Sequence, residues 1–296
     1  MKRVCKRPIQ IDALTLCYEV ENTYYYDQLR QLDFGASIDL NEFQLTRTTG
    51  RYYDNVYNIQ AWNGEKTITF GQMKFSLANG NEESNIHKNG LRKVWLSLNN
   101  ETLYTQDFHF LTYIEQRLGL VFHNVTSLDL CLDTPFAISP LVKAYIHSQN
   151  VVTILNGKRI LDRDEDRPEL TYTTSGSLNK QGKYLTINIK QRNALKDKSK
   201  GITILTYDKA AEICNASDKQ YILEHYGNAR RLYRTEVHLN AEDIKAYIER
   251  RGIQYTPLIL IDEATLEDMF FHFLGSVIRF QSRKVDVSWE HLLGRS

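Results

Sequence analysis

Hydrophobic and polar residues alternate with a period near two through much of the first hundred residues, the signature of half-buried strands. "IQIDALTLCYEV" (9–20) opens the series, followed by "FQLTRTTGRYYDNVYNIQAWN", "KTITFGQMKFSL" and "RKVWLSLNN". Turns are expected at Asn63–Gly64, Asn79–Gly80 and Asn89–Gly90. The period then lengthens. In "TQDFHFLTYIEQRLGL" (105–120) Phe108, Leu111, Ile114 and Leu118 share one helical face, and Gly119 is a stop signal. A strand over 124–133 follows, then a helix, "SPLVKAYIHSQ", with Ser139 as N-cap and Pro140 at the first position. The second half predicts strands at "VVTILN", "ELTYTTSGSL", "KYLTINIK" and "GITILTYDK". A helix capped by Ser217 or Asp218, the strand "ARRLYRTEVHLN" and the helix "AEDIKAYIERRG" come next. Both halves, about 9–150 and 151–250, run several strands, a helix, a strand and a helix, which suggests a structural duplication within one domain, 1–252. Residues 253–296 form a C-terminal extension with one expected helix, "DEATLEDMFFHFLGSVIRFQ". Strands joined by short turns argue for an α+β fold with a mixed or antiparallel central sheet flanked by helices.

Some positions break the pattern. In "NVTSLDLCLDTPF" (124–136) Leu128, Leu130 and Leu132 point one way, while Asp129, Cys131 and Asp133 point the other. Burying a carboxylate without a partner costs several kcal/mol. In "RLYRTEVHL" (231–239) Arg234, Glu236 and His238 share a face. If the two strands are neighbours, Asp129, Asp133 and Glu236 converge as an oxygen-rich site for Mg²⁺ or Mn²⁺. The plain alternative is an exposed sheet face with ordinary carboxylates, or an Arg234–Glu236 pair. "ITILTYDKAAEI" (202–213) ends an apolar strand in Tyr207-Asp208-Lys209. A tyrosine beside a lysine and a metal is a candidate nucleophile towards phosphate, although a tyrosine at a strand end is also an ordinary core-edge residue. "KQRNALKDKSKG" (190–201) carries Lys190, Arg192, Lys196, Lys198 and Lys200 against Asp197. It reads either as a phosphate-contacting loop or as a solvated hairpin tip.

Composition narrows the field. The 296 residues are 42% hydrophobic and 25% charged, as in globular proteins, and the net charge of +1 gives no global signal for nucleic acid. No apolar run suits a membrane span and no secretory signal is seen. The four cysteines (Cys5, Cys17, Cys131, Cys214) are scattered and read as reduced thiols of a cytoplasmic protein. Neither G-x-x-x-x-G-K-[ST] nor G-x-G-x-x-G occurs, nor H-x-H, so nucleotide-driven chemistry and a histidine-based metal site are not expected.

The order of "IDALTLCYEV", "VTSLDLCLDT", "GITILTYDKAAE" and "LYRTEVHL" resembles the Rep_trans family of rolling-circle plasmid replication initiators and related conjugative relaxases. The likeness spans roughly residues 9–250 and departs from the family pattern at Ser127, at Ile204 or Leu205, and at "INIKQRN". It implies a fold similar to a rearranged HUH endonuclease with two similar halves. It also implies a metal site of Asp129, Asp133 and Glu236 holding Mg²⁺ or Mn²⁺. Tyr207 would attack a backbone phosphate to give a 5′-phosphotyrosine. Lys209 would steady the phosphate, Arg234 would orient Glu236, and the 190–200 loop would grip DNA. Implied partners are origin DNA, hairpin or single-stranded, a host helicase and a second copy in a homodimer. Two other readings stay open: a DNA-binding protein of the same fold that does not cut, and a structural protein of a mobile element whose carboxylates are surface groups.

Overall fold

A computed structural model describes residues 7–21, 23–62, 65–77, 92–105, 109–160, 168–175, 184–196, 201–283 and 285–295. The three expected Asn-Gly turns lie outside the described residues, as do Cys5, Phe108, Lys198 and Lys200. In chain order come β1 (Gln10–Val20), α1 (Thr23–Gln31), β2 (Ser37–Asp39), β3 (Gln44–Thr48), β4 (Tyr53–Trp62), β5 (Thr67–Leu77), β6 (Arg92–Leu98), α2 (Asn100–Thr105), α3 (His109–Leu118) and β7 (Leu120–Thr134). Next are α4 (Ser139–Ile146), β8 (Val151–Leu155), β9 (Lys158–Arg159), β10 (Leu170–Ser175), β11 (Tyr184–Lys190), α5 (Arg192–Lys196), β12 (Thr203–Asp208), α6 (Lys209–Ala216), α7 (Gln220–His225) and β13 (Tyr233–Asn240). The chain closes with α8 (Ala241–Arg251), a 3-10 turn (Pro257–Leu260), α9 (Glu263–Val277), β14 (Ile278–Ser282), β15 (Val285–Val287) and α10 (Trp289–Leu292). The architecture is mixed α+β with a large antiparallel sheet. Among the described residues no helix is long and apolar enough to cross a membrane.

Two compact units divide the chain, and β1 and β7 each contribute to both. The first is Ala13–Leu128 with Gln254–Pro257. Its strands run in the order β1-β6-β5-β4-β3-β2, each antiparallel to its neighbours. Alternation makes one face apolar: Leu14, Leu16, Leu45, Tyr57, Ile59, Met73, Phe75 and Leu96 are buried. Helices pack there, Tyr26 of α1 lying 4.4 Å from Phe75 and Phe110 of α3 stacking 5.4 Å from Phe70. The opposite face is polar and cross-linked from strand to strand. Ser37 meets Thr46 at 2.8 Å, Thr46 donates to Gln60 at 2.8 Å, and Gln60 donates to Thr69 at 3.1 Å. Gln72 donates to Asn58 at 3.1 Å, Lys74 donates to Ser97 at 3.3 Å, and Ser97 meets Thr15 at 3.1 Å. A bulge opposite Ile59/Gln60 lets Thr69 and Gln72 share this face although they are three residues apart.

The second unit is Met1–Asp12, Asp129–Ile253 and Leu258–Ser296. Its main sheet runs β10-β11-β12-β13-β7, with the start of β1 beside β7. A separate sheet, β15-β14-β8-β9, packs under α9 and α10, where the indole of Trp289 donates to Ile278 O at 3.0 Å. The units therefore cut across the 9–150 and 151–250 halves read from sequence, and residues 258–296 belong with 129–253. The helix expected through Gln281 stops at Val277, because Ile278–Ser282 pairs with β8 instead. Two expected caps also move. Ile138 precedes α4, putting Ser139 and Pro140 inside its first turn, and Lys219 rather than Ser217 or Asp218 precedes α7; neither cap makes a side-chain bond.

Gly71 is required by the close approach of β5 to β6. A Cβ there would sit 2.3 Å from the carbonyl oxygen of Ser97. Gly71→Ala should lower stability in urea unfolding by roughly 1–3 kcal/mol, the ordinary cost of overpacking; an unchanged midpoint would show that the two strands can part.

Candidate active site

The main sheet of the second unit brings the singled-out residues together on one face. β7 and β13 are neighbours. Their contacts run antiparallel: Asp129 meets His238, Asp133 meets Arg234, and the Thr134 hydroxyl reaches Tyr233 O. Two acidic positions four apart on one strand thus face two basic positions four apart on the other. This is the physical reason for the D-x-x-x-D spacing in β7: each carboxylate has a basic partner.

The two pairs differ in depth. Asp133 and Arg234 are both 0% exposed. Arg234 Nε donates to Asp133 Oδ1 at 2.9 Å and Nη2 donates to Oδ2 at 2.7 Å, a bidentate fork. The remaining arm, Nη1, donates to Asp12 at the start of β1. The result is a buried Asp–Arg–Asp group with a formal surplus of one negative charge. Asp129 and His238 lie nearer the surface, with side chains 19% and 35% exposed. The Asp129 hydrogen bond raises the His238 pKa above the ordinary histidine value, against the effect of burial.

Beside these pairs stands a third. Strand β12 pairs antiparallel with β13, Leu205 opposite Glu236 and Tyr207 opposite Arg234. The Tyr207 hydroxyl donates to Glu236 Oε2 at 3.1 Å. Burial, then the nearby Asp12 carboxylate and more weakly Asp129, push Glu236 up to about 7, although Arg234 pulls the other way. Burial and then the Glu236 charge push the Tyr207 hydroxyl well above the usual phenol value. Cys131 lies in the same group, and burial raises its thiol pKa well above the ordinary value.

The Y-D-K context has a local structural origin. Tyr207 lies in the last turn of strand before α6; Asp208 is the N-cap, its carboxylate accepting from Ala211 N at 2.9 Å. Lys209 opens the helix. It is 2% exposed as a residue, its Nζ lies 5.7 Å from the Tyr207 ring centroid, and it pairs with Glu212 at 2.8 Å. Lys209 is therefore packed beside the tyrosine ring with its charge on Glu212. Arg234 donates hydrogen bonds to Asp133 and Asp12, and its charge also acts on Glu236, favouring the ionised carboxylate.

The basic loop sits elsewhere along β12. Lys190 pairs with Thr203, at the end of β12 remote from Tyr207, about 13 Å away along the strand. Arg192 opens α5 and pairs with Glu169 at 3.2 Å, and Lys196 is the last residue of α5. Lys198 and Lys200 lie outside the described residues.

Asp129, Asp133 and Glu236 as placed do not fit a shared Mg²⁺ or Mn²⁺. Both Asp133 oxygens take Arg234 hydrogen bonds at full burial. Among the described residues no three His, Cys, Asp or Glu side chains are grouped to hold one ion. Asp12 was not singled out from the sequence as a site residue. It carried the same signal as Asp129, a carboxylate within an apolar strand.

Removing one partner of a buried pair strands the other, so Asp133→Ala should cost about 3–5 kcal/mol in urea unfolding. Asp129→Ala, at the half-exposed pair, should cost about 1 kcal/mol or less. Equal losses would mean that the two pairs are equivalent. The pH dependence has a definite sign. Glu236 and His238 both have folded pKa values above their unfolded ones, so each contributes stability at low pH that is lost as pH rises through the folded value. Glu236→Gln should remove the fall between about 4.5 and about 7, making the variant the more stable protein above pH 7 by roughly 1–3 kcal/mol. A wild-type protein equally stable at pH 5 and pH 7.5, relative to this variant, would contradict the assignment.

No protein-family model and no curated protein matches the chain.

Proposed function

We propose that this protein is a DNA strand transferase that nicks and rejoins one strand through Tyr207, as in initiation of rolling-circle replication of a plasmid or mobile element. The observation that carries the reading is the hydrogen bond from Tyr207 to Glu236 at 3.1 Å, in a buried setting that pushes the Glu236 carboxyl up to about 7. A nucleophile bonded to a base whose pKa lies near neutrality is the arrangement acid–base catalysis needs. The order of the three segments and their resemblance to Rep_trans initiators supply the substrate class, and a rearranged HUH-like fold is part of the same proposal.

In the proposed step Glu236, ionised, takes the Tyr207 proton as the phenolic oxygen attacks a backbone phosphorus. The new O–P bond forms, the bond from phosphorus to the 3′ oxygen breaks, and that oxygen takes up a proton from water as a 3′-OH. The 5′ end stays on Tyr207 as a phosphodiester, so rejoining by the reverse step needs no nucleotide. The buried Arg234 fork is a positioning element: it fixes β7 against β13 and hence the site of Glu236. His238, whose pKa the Asp129 hydrogen bond raises, stands partly exposed on the same face and in its protonated form would meet a phosphate.

The test is nicking of supercoiled origin DNA, run with Mn²⁺ and with chelator, followed by denaturing gels for a protein–DNA adduct. Wild type should form an adduct at the 5′ end, and Tyr207→Phe should form none while still binding DNA; loss of a nucleophile costs about 10⁶-fold in well-studied hydrolases. An adduct persisting in Tyr207→Phe would move the nucleophile to another tyrosine, with Tyr226, packed under the Arg7 guanidinium at 4.5 Å, the first to try. Wild type that binds origin DNA and forms no adduct in either condition would leave the binding-only reading. The pH–rate profile adds a second check. Nicking should rise with pH and level off above about 7 as Glu236 ionises, and Glu236→Gln should be slow and flat across that range.

A further inference from the structure

The polar face of the first unit is built differently from an ordinary solvated sheet. Its polar side chains are tied across six strands, from Ser37 through Thr46 and Gln60 to Thr69, and from Lys74 through Ser97 to Thr15. Such cross-links hold each side chain in place while leaving donors and acceptors directed outward. Trp95 of β6 stands among them, partly exposed, its ring 5.7 Å from that of Tyr53. Two lysines share the face with it. Lys74 pairs in register with Trp95, and Lys93 stands two residues away on the same strand, its Nζ 3.0 Å from His123, which in turn bonds Glu19 at 3.2 Å.

We infer that this face binds single-stranded DNA, with Trp95 stacking on a base, Lys74 and Lys93 meeting phosphates, and Asn58 and Gln72 bonding to base edges. Stacking aromatics set among cations on an open sheet are how sequence-tolerant single-strand binding is achieved. A protein partner would call for a dry apolar centre, and here the centre is amide and lysine. Burial lowers the Lys74 pKa, so an anion placed against it would gain more than at a fully hydrated lysine. The inference rests on the DNA substrate proposed above but not on cleavage.

The experiment measures fluorescence anisotropy of labelled oligothymidylate with the full chain carrying Tyr207→Phe, so that strand transfer plays no part. Trp95→Ala should weaken binding by about fivefold or more, and Trp95→Phe should recover most of it. Lys74→Gln with Lys93→Gln should weaken binding and flatten the dependence of log affinity on log salt by about 1.4. Thermal melts of each variant separate lost binding from lost fold, and the lysine pair keeps the test decisive if Trp95→Ala unfolds. The inference fails if the parent binds no oligothymidylate, if all folded variants bind as the parent does, or if oligouridylate binds more tightly. Nicking without single-strand binding would overturn this inference and leave Tyr207 chemistry standing; binding that depends on Trp95 and the lysines, without any adduct, would do the reverse.

Discussion

The candidate site depends on one buried interaction, the fork of Arg234 on Asp133 with its third arm on Asp12. Burying three charges is unfavourable unless each is met by well-aligned partners. An arginine suits this task because its planar donors match a carboxylate two at a time and it stays charged at any relevant pH. The fork joins β13 to β7 and reaches the start of β1, so the three strands are fixed in both register and facing.

Once that register is set, other features follow. Alternation on β13 places Glu236 and His238 on the same face as Arg234, and pairing with β12 brings the Tyr207 hydroxyl onto Glu236. The surplus negative charge of the buried group then acts on Glu236. Asp12 is the principal charge opposing its ionisation, after burial itself. A carboxylate pushed up towards neutrality beside a tyrosine thus follows from burial first and from the Asp12 charge second, against the pull of Arg234. Replacing Asp12 by a neutral residue would pull Glu236 back towards an ordinary carboxylic acid.

Much of this was legible in the sequence because it is a matter of period. The alternation in 124–133 and 231–239 put Asp129, Asp133, Arg234, Glu236 and His238 on the faces where they are found, and Tyr207 at a strand end. What alternation cannot give is partner choice. Whether Arg234 turns to Glu236 or to Asp133 depends on which strand lies beside which, and on which positions are dry. The same limit hid the helix caps at Ile138 and Lys219, which make no side-chain bond and leave no residue signature. The C-terminal strand was hidden for another reason: "VIRFQ" continues the apolar spacing of α9, and only β8 as a pairing partner turns it into a strand.

The central claim is that Glu236 is held as a base for Tyr207. Carbon-13 NMR of the Glu236 carboxyl, titrated with pH in wild type and in Asp12→Asn, tests it most directly. The account predicts a wild-type midpoint at about 7 and a lower one in the variant. A Glu236 midpoint at the ordinary glutamate value of about 4.3, unmoved by loss of Asp12, would contradict it.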